Sequence, residues 1–115
     1  GLEYADAFVL HGLSSVADWD AAAAPGGLMD QLADCRAQGK LRFRGLSSHD
    51  PDVLEIAIRS GLCDIVMFPV GAGVLERYIE ETLPLATAAG VGTVCFKTFG
   101  AGKLLGDTPG YNQPL

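Results

Sequence analysis

The chain holds two histidines, and each stands just past a short apolar run: His11 after residues 7–10, and His49 after residues 41–46. Imidazole exchanges a proton near neutral pH and can donate to or accept from a substrate oxygen, so His11 suits the polarisation of a carbonyl. A lone histidine equally serves as a structural bond to a neighbouring carbonyl, and nothing beside His11 selects between the two. Asp6 starts the same run, falls at its opposite rim, and reads as a solvated or capping carboxylate. Ser47 and Ser48 come directly before His49-Asp50-Pro51. Their hydroxyls could face an amide or a phosphate, but serines beside an Asp-Pro helix start are also what turn chemistry asks for. A third group is Phe99-Gly100-Ala101-Gly102-Lys103-Leu104-Leu105-Gly106. Its glycines let backbone amides approach an anion, and Lys103 adds charge. The glycine spacing is one residue too long for the dinucleotide fingerprint, and Leu104 stands where a triphosphate loop needs Ser or Thr.

Metal and nucleic-acid chemistry are not indicated. Cys35, Cys63 and Cys95 form no Cys-x-x-Cys or Cys/His pair, so they read as buried small hydrophobes, and no metal site is expected. Eight Lys and Arg against fourteen Asp and Glu give a net charge of −6, which repels a phosphate backbone. No apolar run reaches the roughly 18 residues of a membrane span, and the first residues lack the basic start of a signal peptide. The expectation is a cytoplasmic protein with no membrane or nucleic-acid partner. Its oligomeric state is not legible.

The elements that must carry these groups alternate. Residues 7–10, 41–46, 64–70 and 93–96 are apolar, short and bounded by Gly or polar clusters, which predicts four strands. Leu28, Leu32 and Cys35 recur at helical spacing before Gly39, and Asp50-Pro51 opens a second helix that ends at Gly61. Leu75, Ile79, Leu83 and Ala86 predict helix in the third connection, where Pro84 requires either a junction of two helices or a kink. Spacing of this length between strands implies parallel βα units, and uniformly apolar strands imply cover on both faces. The pattern leaves a doubly wound sheet and a stretch of barrel both open. The carboxyl ends of parallel strands share one rim, so His11, Ser47, Ser48 and the glycine-rich loop converge there.

Three stretches in order, Ala5-Asp6-Ala7-Phe8-Val9-Leu10-His11, then the run from Gln38-Gly39-Lys40 to Gly45-Leu46-Ser47-Ser48-His49, then Lys97-Thr98-Phe99-Gly100-Ala101-Gly102-Lys103-Leu104-Leu105, make this sequence resemble the aldo-keto reductases. The resemblance implies an α/β fold in the form of a partial TIM (β/α)8 barrel. Residues 1–115 would run from about its fourth strand to the loop after its seventh, with the N- and C-terminal parts absent. It implies an oxidoreductase that moves a hydride between NADP or NAD and an aldehyde, ketone or alcohol, with no choice between the two dinucleotides. His11 matches the active-site histidine. Ser47 and Ser48 match the position that holds the nicotinamide carboxamide, and Phe96, favoured over Lys97, the aromatic that stacks on the ring. Gly100, Gly102, Lys103 and Leu104 match the segment around the pyrophosphate.

The chain also departs from the family. Met67 stands where Gln is frequent, and Gly71 where Asn is common. The family's catalytic Asp, Tyr and Lys belong to earlier strands; Tyr4, Tyr78, Tyr111 and Lys97 do not occupy matching places. The expectation is therefore an enzyme as the full-length protein and an inactive piece here. Two alternatives are a free-standing doubly wound domain that binds a phosphorylated ligand, and a non-catalytic half-barrel that assembles with a second copy.

Overall fold

A computed structural model describes residues 3–71 and 74–100. In chain order the elements are β1 (Ala5–Leu10), α1 (Val16–Ala23), α2 (Leu28–Ala37), β2 (Leu41–Ser47), α3 (Pro51–Ser60), β3 (Ile65–Pro69), a π turn (Tyr78–Thr82) running into α4 (Leu83–Ala89), and β4 (Gly92–Phe96). Two of the helix starts, those of α1 and α3, have a side-chain cap. Asp50 caps α3 by accepting from Asp52 N–H at 2.9 Å, with Pro51 in the first turn where its missing N–H costs nothing. Ser15 caps α1 in the same way through Asp18 N–H at 3.1 Å. The sequence reading did not foresee α1, which buries only Trp19 and Ala22.

Pro84 falls where two helical stretches of different pitch meet. It lies in the first turn of α4, and the turn before it is widened so that Leu83 N–H donates to Tyr78 O, five residues back. Proline's ring would collide with the carbonyl four residues earlier, and one π turn opens the space.

The four strands pair in parallel in the order β1-β2-β3-β4. A doubly wound sheet reverses its strand order at a switch point; here every strand lies beside its neighbour in sequence, and crossovers of one hand then place every helix on the same side. α1 packs on α2 and α3, and α3 on α4. The result is a sector of barrel wall rather than a doubly wound sheet.

Register sorts the side chains between the two faces. Leu46 pairs with Val66, and both are fully buried beneath the helices with Phe68, Val53 and Leu54. The alternate row, in which Ser47 pairs with Met67 and Met67 with Val94, belongs to the other face. Phe43 is 46% exposed and Val94 39%. Cover on both faces was the expectation from the apolar strands, and the structure corrects it: helices cover one face, and the second faces what would be the barrel lumen. Cys95 pairs with Phe68 on the helix side but lies on the outermost strand and is exposed, a correction to its reading as a buried hydrophobe, while Cys63 is buried and Cys35 half-buried. At Gly45 a Cβ would land on the Ile65 carbonyl oxygen, so only glycine lets β2 and β3 approach this closely.

Candidate functional site

The carboxyl ends of β1, β2 and β4 bring together His11, Ser47, His49, Phe96 and Lys97. The loop after β1 turns back over the end of β2: Gly12 N–H donates to Ser47 Oγ at 2.9 Å, and Leu13 N–H donates to Ser47 O at 3.0 Å. These two bonds seat the loop that carries His11, whose side chain is exposed. Ser47 is 6% exposed and accepts through its hydroxyl, which keeps its own proton free for another acceptor among the described residues.

Strand alternation separates the two serines. Ser47 continues the row of Phe43 and Gly45 on the open face, so Ser48 turns toward the helices. Ser48 is fully buried; its N–H donates to Met67 O at 3.1 Å, and its hydroxyl accepts from Asp50 N–H at 3.0 Å. That hydroxyl closes the turn into α3 and does not join the open rim.

Phe96, two residues beyond Val94, is on the open face and half-buried. The His49 ring meets it edge-on with centroids 5.4 Å apart. Lys97 Nζ lies 5.7 Å from the Phe96 centroid and 3.2 Å from His49 Nε2. An ammonium can only donate, so His49 Nε2 accepts and the ring proton is assigned to Nδ1. Lys97 has φ of 54°, a left-handed backbone that a residue with a Cβ seldom adopts. Its backbone carbonyl accepts from Gly100 N–H at 2.8 Å, which closes the first turn of the following loop. Gly71 shows how tightly the β3 and β4 loops meet, because a Cβ there would strike the Thr98 carbonyl oxygen. Gly102, Lys103 and Leu104 lie outside the described residues.

The backbone of His49 is fixed from two directions. Its N–H donates to Ser14 Oγ at 3.4 Å, and its carbonyl accepts from the Tyr78 hydroxyl at 2.5 Å. Burial raises the Tyr78 phenol above its usual range, helped by the charge of Asp50, so this hydroxyl keeps its proton in that bond. Sequence reasoning passed over Ser14, Tyr78 and the Lys97–His49 contact. Only the position of Lys97 directly after the fourth strand could have signalled the last of these. Asp6 lies at the far end of β1, 3.6 Å from Arg42 in an exposed ion pair.

A groove of about 420 Å³ lies elsewhere, between α3 and α4, lined by Glu55, Arg59, Glu81 and Leu85 among others. Arg59 and Glu55 are already paired there at 3.0 Å, and the groove is a seam between helices on the face away from the rim. Among the described residues no three His, Cys, Asp or Glu gather as metal ligands, and no helix is long and apolar enough to cross a membrane.

One-sided helices over a parallel sheet, with polar and aromatic groups gathered at the strands' carboxyl ends, define part of a TIM-type barrel with its site on the usual rim. The family model described as "Aldo/keto reductase family" matches residues 1–113, and the chain belongs to that family. Among solved structures it is similar to the aldo-keto reductase AKR11C1 from Bacillus halodurans in its holo form, with a TM-score of 0.69 and 25% identity over 93% of this chain. The chain spans 33% of the length of that structure. No curated protein sequence matches it.

Proposed function

We propose that this chain forms the part of a carbonyl-reducing barrel that holds the nicotinamide end of NAD(P)H and orients the substrate oxygen. The reaction is reduction of an aldehyde or ketone, or oxidation of an alcohol in reverse, which is the general chemistry of the family. The observation that carries this reading is the bond from Gly12 N–H to Ser47 Oγ at 2.9 Å, which holds the loop bearing His11 against the strand end that carries Ser47.

The residues fit the cofactor's nicotinamide end: among the described residues the Ser47 hydroxyl proton meets no acceptor and can serve a carboxamide oxygen, and Phe96 offers a half-buried ring on the same face. Ser48 contributes by fixing the turn, and Gly100, Gly102, Lys103 and Leu104 are assigned to the pyrophosphate. The dinucleotide, when bound, supplies the hydride. His11 orients the carbonyl oxygen and stabilises the charge that develops on it, in either protonation state, by donating an N–H.

The acid, with its Asp and Lys partners, is assigned to residues outside these 115, so the chain alone does not turn over. Net charge and unpaired cysteines favour a cytoplasmic setting, and the partner is a small carbonyl or alcohol. In a protein carrying the whole barrel, His11→Ala is expected to lower kcat by at least about a hundredfold, the usual scale of a lost proton-handling group, with a much smaller change in the NADPH dissociation constant. Stopped-flow turnover and a fluorescence titration measure the two; equal turnover in the variant removes His11 from the chemistry.

A further inference from the structure

Lys97 and His49 have no part in the hydride chemistry derived above, yet the fold holds them together. In a chain with net charge −6, the arginines Arg36, Arg42, Arg59 and Arg77 each meet a carboxylate. Lys97 meets an imidazole instead, at 3.2 Å, and no carboxylate lies within ion-pair distance of it among the described residues. The one acid beside the pair, Asp50, turns its carboxylate into α3, where it accepts from Asp52 N–H at 2.9 Å. Lys97 also sits in a left-handed backbone conformation, with φ of 54°. Strain of this kind costs about 1 kcal/mol or more and persists where the surroundings enforce it, commonly at binding sites.

Position indicates what the cation faces. His49 N–H is tied to Ser14 Oγ in the loop that carries His11, and the His49 ring packs on Phe96. Through His49 the pair is therefore tied both to the loop after β1 and to the aromatic ring at the end of β4. The Lys97 ammonium has three donors and gives one to His49 Nε2, so the others can meet an oxyanion beside the pair.

We propose that Lys97 and His49 form a subsite for an anionic group, a carboxylate or phosphate, on the carbonyl substrate, so that the site prefers acidic aldehydes or ketones over neutral ones of equal length. The subsite rests on the reductase reading for the identity of its ligand, and on geometry alone for the binding of an anion.

Two measurements test it. In the 115-residue chain, the carbon-bound ring protons of His49 are followed by NMR as inorganic phosphate is added. A saturable shift is expected, weakened at least about tenfold in Lys97→Met, as fits one charge-assisted bond, and retained in Lys97→Arg. A linear drift, or equal saturation in Lys97→Met, overturns the proposal. Repeating the titration after NADPH has been added separates the sources: phosphate that still binds supports a substrate subsite, and phosphate that is displaced assigns the pair to the dinucleotide and overturns it. In a protein carrying the whole barrel, the ratio of kcat/KM for succinic semialdehyde over butanal is expected to fall about tenfold in Lys97→Met, the same single contact read kinetically. Turnover with an unchanged ratio counts against the subsite. No turnover of either aldehyde counts against the reductase reading alone, and the NMR titration still decides the subsite.

Discussion

Ser47 and Ser48 are chemically identical neighbours, yet the structure gives them opposite tasks, and strand alternation is the whole reason. The open-face serine braces the loop after β1, and the buried one closes the turn into α3. That division was legible in principle from the two-residue period of β2, once Leu46 is taken as core. The role of Lys97 was not, because its contact with His49 joins positions 48 residues apart. The cysteines divide in the same manner. Burial pushes the Cys63 thiol from 9.0 up to about 12, against the opposing charge of Arg44 and with a smaller push from Asp64. A folded pKa above the unfolded one means that the folded chain keeps a proton the unfolded chain gives up. The associated stability is intact below pH 9.0 and is lost as the pH rises toward about 12. The urea midpoint of the chain is expected to fall more steeply over that range than that of Cys63→Ala; parallel slopes would refute it. At pH 8 iodoacetamide, followed by mass spectrometry, should label the exposed Cys95 well before Cys63.

Elements with a wide apolar face could be read from the sequence, and those without one could not. α3 shows Val53, Leu54, Ala57 and Ile58 on one side between an Asp-Pro start and Gly61, and its predicted and observed spans agree closely. α1 is mostly alanine and aspartate, so its apolar stripe carries little contrast, and it escaped notice although Ser15, Asp18 and Pro25 mark its two ends. Its stability depends on those ends and on Trp19, which is 2% exposed. Ser15→Ala leaves Asp18 N–H without its acceptor and is expected to cost about 1 kcal/mol in urea unfolding, the usual scale of a lost N-cap. The same substitution at Ser14 caps nothing and should cost clearly less; an equal loss at the two sites would remove the capping argument. The π turn before Pro84 belongs to this scale too. Sequence marks where a helix must yield to proline, but the choice among break, kink and widened turn depends on packing. Here Tyr78, stacked on Phe68 with centroids 5.8 Å apart, holds the turn against β3.

For the molecule as a whole, strand order carries the most consequence, and periodicity does not encode it. Uniformly apolar strands satisfy a doubly wound sheet and a barrel equally well; only the consecutive pairing, foreseen through the family resemblance, separates them. That arrangement exposes what a closed barrel hides. Phe43 and Val94 face solvent on the open side, and Tyr4 and Phe8, 51% and 50% exposed, stand beside Leu32 and Cys35 on the helix side of β1. Among the described residues the outer edges of β1 and β4 carry unpaired backbone donors and acceptors, which invite a further strand. By itself the 115-residue chain is therefore expected to associate, despite the repulsion of a net charge of −6. Sedimentation equilibrium should give a weight-average mass above 12.0 kDa that rises with concentration. Added salt should strengthen the association, because screening removes the charge repulsion and leaves apolar burial in place. Phe43→Lys should weaken it by adding a charge to the open face. Strand-edge pairing alone would be indifferent to that substitution, whereas face-to-face burial of the lumen side would not. A monomer at all concentrations would mean that the edges and the open face are masked by residues outside the described ones.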